Sequence, residues 1–439
     1  MTTITSTEKI YRLFRKYRKI CTDTRQLERD SIFIALHGEK FDGNTFAKQA
    51  LEAGCSYAIV DNVKFAKGER CLLVEDCLQC LQSLANLYRR DMFIPFIGIT
   101  GTNGKTTSKE LINSVLSIRF RTFATKGNLN NHIGVPLTIL SIPSNTEIAI
   151  IEMGASHVGE IANLCNICLP THGLITNIGK AHLEGFGSFE NIVNTKTALY
   201  RFIQKTHGKS FVNGDNALLM DKSKDLERFC YGSGANQYLQ MEYISNESIM
   251  LKCKLIGSSS APNITEINTN VIGDYNLENA AVAACIGRYF GLSDREIKEG
   301  IEKYEPKNLR SQIIQTKNNV LIADTYNANP TSMYASIKNF LAMPSPYSKI
   351  FIIGDMLELG KFAKEEHQKI VDLLKENDAA QVFLVGPLFS KTDKFSACKT
   401  FSKAEDLIEH LKNHPLKQNY ILIKGSRGVQ LEKVLDILK

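Results

Sequence analysis

No tryptophan occurs in the 439 residues, and no apolar stretch approaches the ~20 residues that a membrane-spanning helix requires. The N-terminus, Met1-Thr2-Thr3-Ile4, shows no apolar segment followed by a small-residue cleavage site, so no secretory signal is expected and the protein is expected in the cytoplasm. The 11 cysteines are scattered and do not form a disulfide framework. Two C-x-x-C pairs, Cys77/Cys80 and Cys165/Cys168, have no second Cys or His pair at zinc-site spacing. The run Cys77-Leu78-Gln79-Cys80-Leu81-Gln82-Ser83-Leu84 repeats at helical period, which turns its thiols toward a core. Zinc-finger spacing and an RNA-binding aromatic signature are both missing, against nucleic acid as a partner. Charge of one sign is scarce too: 53 Lys and Arg against 46 Asp and Glu leave a net +7, which suits small anionic substrates as well as nucleic acid. The densest basic stretch, Lys9 to Lys19, puts Ile10, Leu13, Phe14 and Tyr17 on one helical face, so its cations read as the solvated face.

What is present is an ordinary globular composition, 43% hydrophobic and 23% charged. At roughly 150 residues per domain the length suggests about three domains. The expected fold class is α/β in three parts. Residues 1–90 form a small α/β unit with strands at 31–36 and 57–60 and a helix from about Cys77 to Arg89. Residues 91–306 form a parallel-sheet P-loop unit: strands at 94–100, 147–152 and 173–176 alternate with helices, and 238–272 reads as antiparallel β with a polar insertion at 258–262. Residues 307–439 form a doubly wound, Rossmann-like unit with strands at 320–324, 349–354, 381–386 and 420–424. No internal repeat or low-complexity tract interrupts the chain.

The chemistry concentrates at predicted strand ends. Gly101-Thr102-Asn103-Gly104-Lys105-Thr106-Thr107 sits between a strand and a helix, where glycines let backbone N–H groups turn toward a phosphate and the helix N-terminus adds positive charge. Lys105 can reach the β- and γ-phosphates and the Thr106 hydroxyl can ligate Mg²⁺. Only Thr102 and Asn103 separate the glycines, so the loop is shorter than the strict motif; the alternative is a structural glycine turn. Glu152 ends the next strand, where a carboxylate can hold a hard cation; the alternative is a solvated loop acid. His182, in the turn after 173–176, reads either as a second metal ligand or as a structural histidine, and Lys196 either as part of the site or as a solvated or phosphate-holding lysine. Asn276 and Asn279 lie three apart and could face one ligand, or Asp274 or Asn276 could cap the helix that follows. Asp324-Thr325-Tyr326-Asn327-Ala328-Asn329-Pro330 again ends a strand, with Pro330 placed to begin a helix. Arg310 is a phosphate-clamp candidate, and Lys424-Gly425-Ser426-Arg427 is either a substrate contact or a simple turn opening a helix.

These segments, together with Glu152-Met153-Gly154-Ala155-Ser156, Asn177 to Gly187 and Tyr275 to Asn279, resemble the Mur ligases, ATP-dependent amide-forming enzymes of peptidoglycan precursor synthesis. The resemblance covers all three units. Asp324 to Pro330, Asp23-Thr24-Arg25 and Ala35 to Asn44 are similar to the branch that adds D-alanyl-D-alanine to a UDP-N-acetylmuramoyl-tripeptide. One departure is Tyr275, where other branches often carry His. The resemblance implies that 1–90 binds the UDP-sugar end, 91–306 binds ATP, and 307–439 supplies nucleotide and dipeptide contacts. It implies ATP with two Mg²⁺ ions, Lys105 on the γ-phosphate, Thr106 and Glu152 on one ion, His182 on the second, and a carbamylated Lys196. It implies catalytic roles for Lys105, His182, Lys196 and Arg310, and nucleotide contacts from Gly101 to Thr107, Asn276, Asn279, Arg310, Asp324 and Asn327. The substrate contacts implied are Thr24, Arg25, Asp42, Gly43, Asn44, Asn128, Asn130, Asn131, Lys424 and Ser426. The expected state is a monomer. Two other functions compete: a folate-polyglutamylating ligase, which uses the same acyl-phosphate logic but lacks a first unit of this type, and a P-loop nucleotide switch without ligase activity.

Overall fold

The computed structural model describes residues 3–38, 41–235, 237–244, 249–257, 264–307 and 309–439. The polar insertion at 258–262 lies outside them. Three main sheets follow one another along the chain. Among the described residues no helix is long and apolar enough to cross a membrane.

The first sheet runs in the order Ile20–Cys21, Ile32–Ile34, Tyr57–Val60, Cys71–Leu73, all parallel. The basic N-terminal segment is the helix Thr7–Tyr17, begun by the Ser6 hydroxyl accepting from Lys9 N–H and ended by Arg18 in the left-handed region. Ile10 and Phe14 are buried, while Lys9, Arg12, Arg15 and Lys16 face solvent, as the helical period requires.

The helix Cys77–Arg90 does more than close this unit. Cys77, Cys80, Leu81 and Leu84 join one continuous core with Val135, Ile139, Leu164 and Cys165 of the next unit. Its polar residues complete the seam. Tyr88 Oη donates to Ile142 O at 2.8 Å, and Asn86 Nδ2 to Asn166 O at 2.7 Å. Arg89 donates to the Cys168 and Leu169 carbonyls, each at 2.9 Å, with its guanidinium 3.7 Å from the centre of the Phe96 ring. All 11 cysteines are free thiols.

The central sheet has nine strands, ordered Ile264–Ile272, Met250–Ile256, Leu239–Tyr243, Arg228–Gly232, Lys209–Asn213, His172–Ile175, Phe96–Thr100, Ile148–Glu152, Thr122–Ala124. Only the first two junctions are antiparallel. Continuous apolar runs such as Phe96–Thr100 and Ile148–Glu152 are buried throughout, as strands covered on both faces must be. The strand order reverses around Phe96–Thr100, so the crevice past the carboxyl ends of this strand and its neighbours is the place where such sheets receive ligands. Lys209–Asn213, Arg228–Gly232 and Thr122–Ala124 escape the pattern reading. The last two are short and partly exposed, and so lack a continuous apolar run.

The third sheet is ordered Gln312–Gln315, Asn319–Asp324, Asn419–Lys424, Ser348–Gly354, Gln381–Val385, Cys398–Phe401, and is parallel except for its first strand. Gln312–Gln315 and Cys398–Phe401 are edge strands with no fully buried residue, and sequence pattern alone does not find them. The Asn319–Asp324 strand delivers its last residue to the central unit's crevice, and the helix Pro330–Ala342 follows with Pro330 in its first turn and Asn329 as its cap.

Candidate active site

A cavity of about 500 Å³ opens where the carboxyl ends of the central strands meet the third unit. Its floor is the glycine-rich loop. Gly101, with φ of 147°, lies so close to Thr176 that a Cβ there would come within 1.9 Å of Oγ1. Gly104, at φ 77°, begins the helix Lys105–Leu116 and would place a Cβ 2.6 Å from Asn279 Oδ1. Both positions therefore demand glycine, for conformation and for space. The loop is laced to the next strand end: Thr102 N–H donates to Asn177 O at 2.8 Å, Asn103 N–H to Asn177 Oδ1 at 3.0 Å, and Thr176 Oγ1 to Asn103 O at 2.7 Å.

Two lysines converge on this turn. Lys105 Nζ donates to Gly101 O at 2.8 Å and Thr102 O at 3.0 Å, and Lys196 Nζ donates to the same Gly101 carbonyl at 2.9 Å. Burial lowers the pKa of Lys105, with the Glu152 carboxylate working in the opposite direction. Burial, joined by repulsion from Lys105, holds Lys196 well below the lysine range. Lys196 is the last residue of the helix Phe189–Lys196 and is buried behind the loop, off the wall of the cavity.

Glu152 is buried at its strand end, not a solvated loop acid. It accepts from Thr106 Oγ1 at 2.9 Å and from Asn130 Nδ2 at 2.8 Å, and the ammonium of the fully buried Lys109 lies 3.9 Å away. These are hard oxygen donors of the kind Mg²⁺ selects. Among the described residues no cluster of three or more His, Cys, Asp or Glu side chains could hold a metal ion. Thr106 and Glu152 are thus the oxygen donors that would hold a Mg²⁺ ion here. His182 is engaged elsewhere: its Nδ1 meets Glu358 of the third unit, and this bond holds the Glu358 carboxyl below its usual pKa.

Asn276 stands at the N-cap position of the helix Leu277–Tyr289, but its side chain makes no cap bond there. With Asn279 it forms a buried relay instead. Asn276 Nδ2 donates to Ile272 O at 2.7 Å, Asn279 Nδ2 to Asn276 Oδ1 at 2.7 Å, and Ser108 Oγ to Asn279 Oδ1 at 2.7 Å. From the third unit, Asn329 Nδ2 donates to Asn103 Oδ1 at 2.7 Å, so that unit touches the glycine-rich loop directly. Asp324 pairs with Lys424 at 2.5 Å and accepts from Ser336 Oγ at 3.2 Å. Arg310 stacks on Tyr326 with its guanidinium carbon 3.6 Å from the ring centre.

The cavity thus brings together Thr102 to Thr107, Glu152, His182, Asn276, Asn279, Arg310, Asp324, Asn327, Lys424, Asn128, Asn130 and Asn131. The N-terminal residues lie apart. Asp42 and Asn44 line a separate open groove on the first unit. Asn44 is committed there to Asp42 and Asp61, with 2.8 Å bonds to each, and Gly43 is needed because a Cβ would lie 2.3 Å from Leu36 O. Thr24 and Arg25 are not on the wall of that groove. Arg25 is forked onto Asp23 at 2.6–2.9 Å, an engagement that brings Asp23 down to about 2. Ser426 is also buried outside the main cavity. Sequence reasoning misses Lys109, Glu358 and the stacking role of Tyr326. Only Lys109 leaves a trace, as a charge on the buried face of its helix beside Thr106, Ser108 and Ile112.

A strand-bound phosphate loop, a buried carboxylate at the next strand end and a doubly wound unit closing over both define an ATP-dependent ligase architecture. The sequence pattern of the Mur ligase middle domain matches residues 99–287, and that of the Mur ligase glutamate ligase domain matches residues 309–427. The chain belongs to the Mur ligase family. It is 35% identical over 430 residues to the UDP-N-acetylmuramoyl-tripeptide–D-alanyl-D-alanine ligase of Bacillus subtilis, covering 95% of this chain and 92% of that one. Among solved structures it is similar to MurF from Acinetobacter baumannii, with a TM-score of 0.84, 30% identity and coverage of 96% and 93%. It is also similar to the MurF ligase of Thermotoga maritima in complex with ADP, with a TM-score of 0.85, 26% identity and coverage of 96% and 97%.

Proposed function

We propose that this chain joins the free amine of D-alanyl-D-alanine to the terminal carboxylate of a UDP-N-acetylmuramoyl-tripeptide, with ATP converted to ADP and phosphate. The observation that carries this reading is the shared cavity: the phosphate loop and Glu152 form one wall, and Arg310, Asp324 and Asn327 form the other. A carboxylate is a poor acyl donor, because its leaving group would be oxide. Phosphoryl transfer to it gives an acyl phosphate, the amine attacks the acyl carbon, and phosphate departs. The cost lies in bringing an anion to a polyanion. Lys105, Arg310 and the positive end of the Lys105–Leu116 helix meet that charge. Thr106 and Glu152 would hold a Mg²⁺ ion, which when bound neutralises phosphate charge.

Carbamylation of Lys196 fits its surroundings. Only a neutral amine takes up CO₂, and the buried position beside Lys105 favours the neutral form. His182 then has a role in binding a second ion once Glu358 releases it. The first unit, with its Asp42–Asn44 groove, is assigned to the UDP-sugar end, and the protein is taken as a cytoplasmic monomer.

The test is phosphate release by purified protein with ATP, Mg²⁺, UDP-N-acetylmuramoyl-tripeptide and D-alanyl-D-alanine, each omitted in turn. Turnover should require all of them. Release that is indifferent to the dipeptide would point to a nucleotide switch, and release supported by a folate in place of the sugar nucleotide would point to the folate-type ligase.

A further inference from the structure

A second cavity, of about 230 Å³, abuts the first, and the two share Asn128, His182, Tyr326, Asn327 and Asn329 as a common border. Its size falls below that of drug-binding sites and suits a small ligand. Beyond the border the wall changes character. Ala181, Ala328 and Leu357 are apolar, Glu358 is held at His182, and Arg427 is a cation on the side that the nucleotide cavity does not reach.

The residues of the Lys424–Arg427 turn differ in what they have left to offer. The Lys424 ammonium is engaged by Asp324 at 2.5 Å. The Ser426 hydroxyl donates to Ala328 O at 3.2 Å and accepts from Leu357 N–H at 3.0 Å, so it holds the backbone of the wall together. Arg427 is unlike both. Among the described residues its side chain has no carboxylate partner, and its guanidinium carbon lies 5.7 Å from the centre of the Tyr326 ring. Tyr326 borders both cavities, with Arg310 lining only the first and Arg427 only the second.

We infer that Arg427 binds the carboxylate of the incoming dipeptide and thereby fixes which end of it faces the nucleotide. The inference rests on the ligase reading above. A dipeptide is a zwitterion, and this cavity is polarised to match it. The guanidinium presents a planar fork of donors suited to a carboxylate. Glu358 repels a carboxylate and attracts an ammonium, and it lies beside His182 on the shared border. The charges therefore direct the carboxylate away from the nucleotide and the amine toward it, the only direction that permits bond formation. The two methyl groups meet Ala181, Ala328 and Leu357.

The experiment compares D-alanyl-D-alanine with its C-terminal carboxamide in the phosphate-release assay, using the full-length enzyme and its Arg427→Gln and Arg427→Lys variants. The wild type should favour the acid in kcat/KM by roughly 10- to 100-fold, the value of a charged hydrogen bond. R427Q should raise KM for the acid by a similar factor, leave KM for ATP unchanged, and bring acid and amide to parity. R427K should retain part of the preference. The acid-to-amide ratio is a quantity that mere disturbance of the turn would not shift. A wild type that accepts both equally, or an R427Q variant with the wild-type ratio, overturns the inference. A wild type that turns over neither compound overturns the ligase reading instead.

Discussion

Removing Lys109 should damage the wall around Glu152 although Lys109 does not line the cavity. Its side chain is wholly buried; the ammonium donates to Thr125 O at 2.5 Å, lies 3.0 Å from Glu110, and stands 3.9 Å from Glu152, itself only 2% exposed. Lys109→Met keeps the length of the stem and deletes the charge. Stripping one partner from a buried ion pair costs about 3–5 kcal/mol. Glu152 keeps its bonds from Thr106 and Asn130, and Glu110 is 39% exposed, so the loss should fall at the lower end, about 3 kcal/mol, including the orphaned Thr125 carbonyl. The measurement is urea unfolding followed by far-ultraviolet circular dichroism, since the chain has no tryptophan. The double variant K109M/E152Q should be less damaged than the sum of its parts, with a coupling of at least about 1 kcal/mol, because it leaves no unpaired buried charge. A K109M variant within about 0.5 kcal/mol of the parent, or strictly additive effects, would refute the charge-pairing argument.

Two further outcomes follow from other parts of the structure. Gly101→Ala forces a Cβ to within 1.9 Å of a Thr176 hydroxyl already fixed on Asn103 O, so ATP affinity measured by calorimetry should weaken about tenfold or more, and an unchanged affinity would show that the loop tolerates the side chain. His172 is buried among Phe211, Tyr289 and Phe290, and burial, with Lys209 nearby, lowers its pKa to about 4. The unfolded chain binds a proton near pH 6.5 while the folded chain does not, so this residue's share of stability is complete above that pH and declines as pH falls to about 4, by up to roughly 3 kcal/mol. His172→Phe should flatten the difference in urea midpoint between pH 7 and pH 4; a variant with the parent's pH slope would contradict it.

The parts of the site that are readable in the sequence are those whose chemistry is local. Gly101 to Thr107 announces itself because a backbone that wraps an anion needs glycines at fixed positions between a strand and a helix. Glu152 and Asp324 are readable because each ends a buried apolar run, and parallel sheets collect ligands at such ends. What is not readable depends on distant segments meeting. Glu358 comes from a loop more than a hundred residues beyond His182, and nothing around it marks it as that histidine's partner. Lys109 shows in the sequence only as a charge on the buried face of its helix, and its partners Thr125 and Glu152 emerge only from the packing. The alternatives left open at Asn276 are decided by two contacts, since a side chain bonded to both Asn279 and Ile272 is not free to make a cap bond. Lys424 and Ser426 are already committed within their turn, and the side chain with bonding capacity to spare is their neighbour Arg427.

The seam built on the Cys77–Arg90 helix makes the first sequence boundary something other than a folding boundary. A cut in the short connector between Arg90 and Phe96 would leave two fragments, each baring the greasy half of one interior: Leu81 and Leu84 on one, Val135, Ile139 and Leu164 on the other. Exchanging the front unit for that of a relative is thus a matter of matching two surfaces along a whole helix, and a linker of any length is no substitute for that fit.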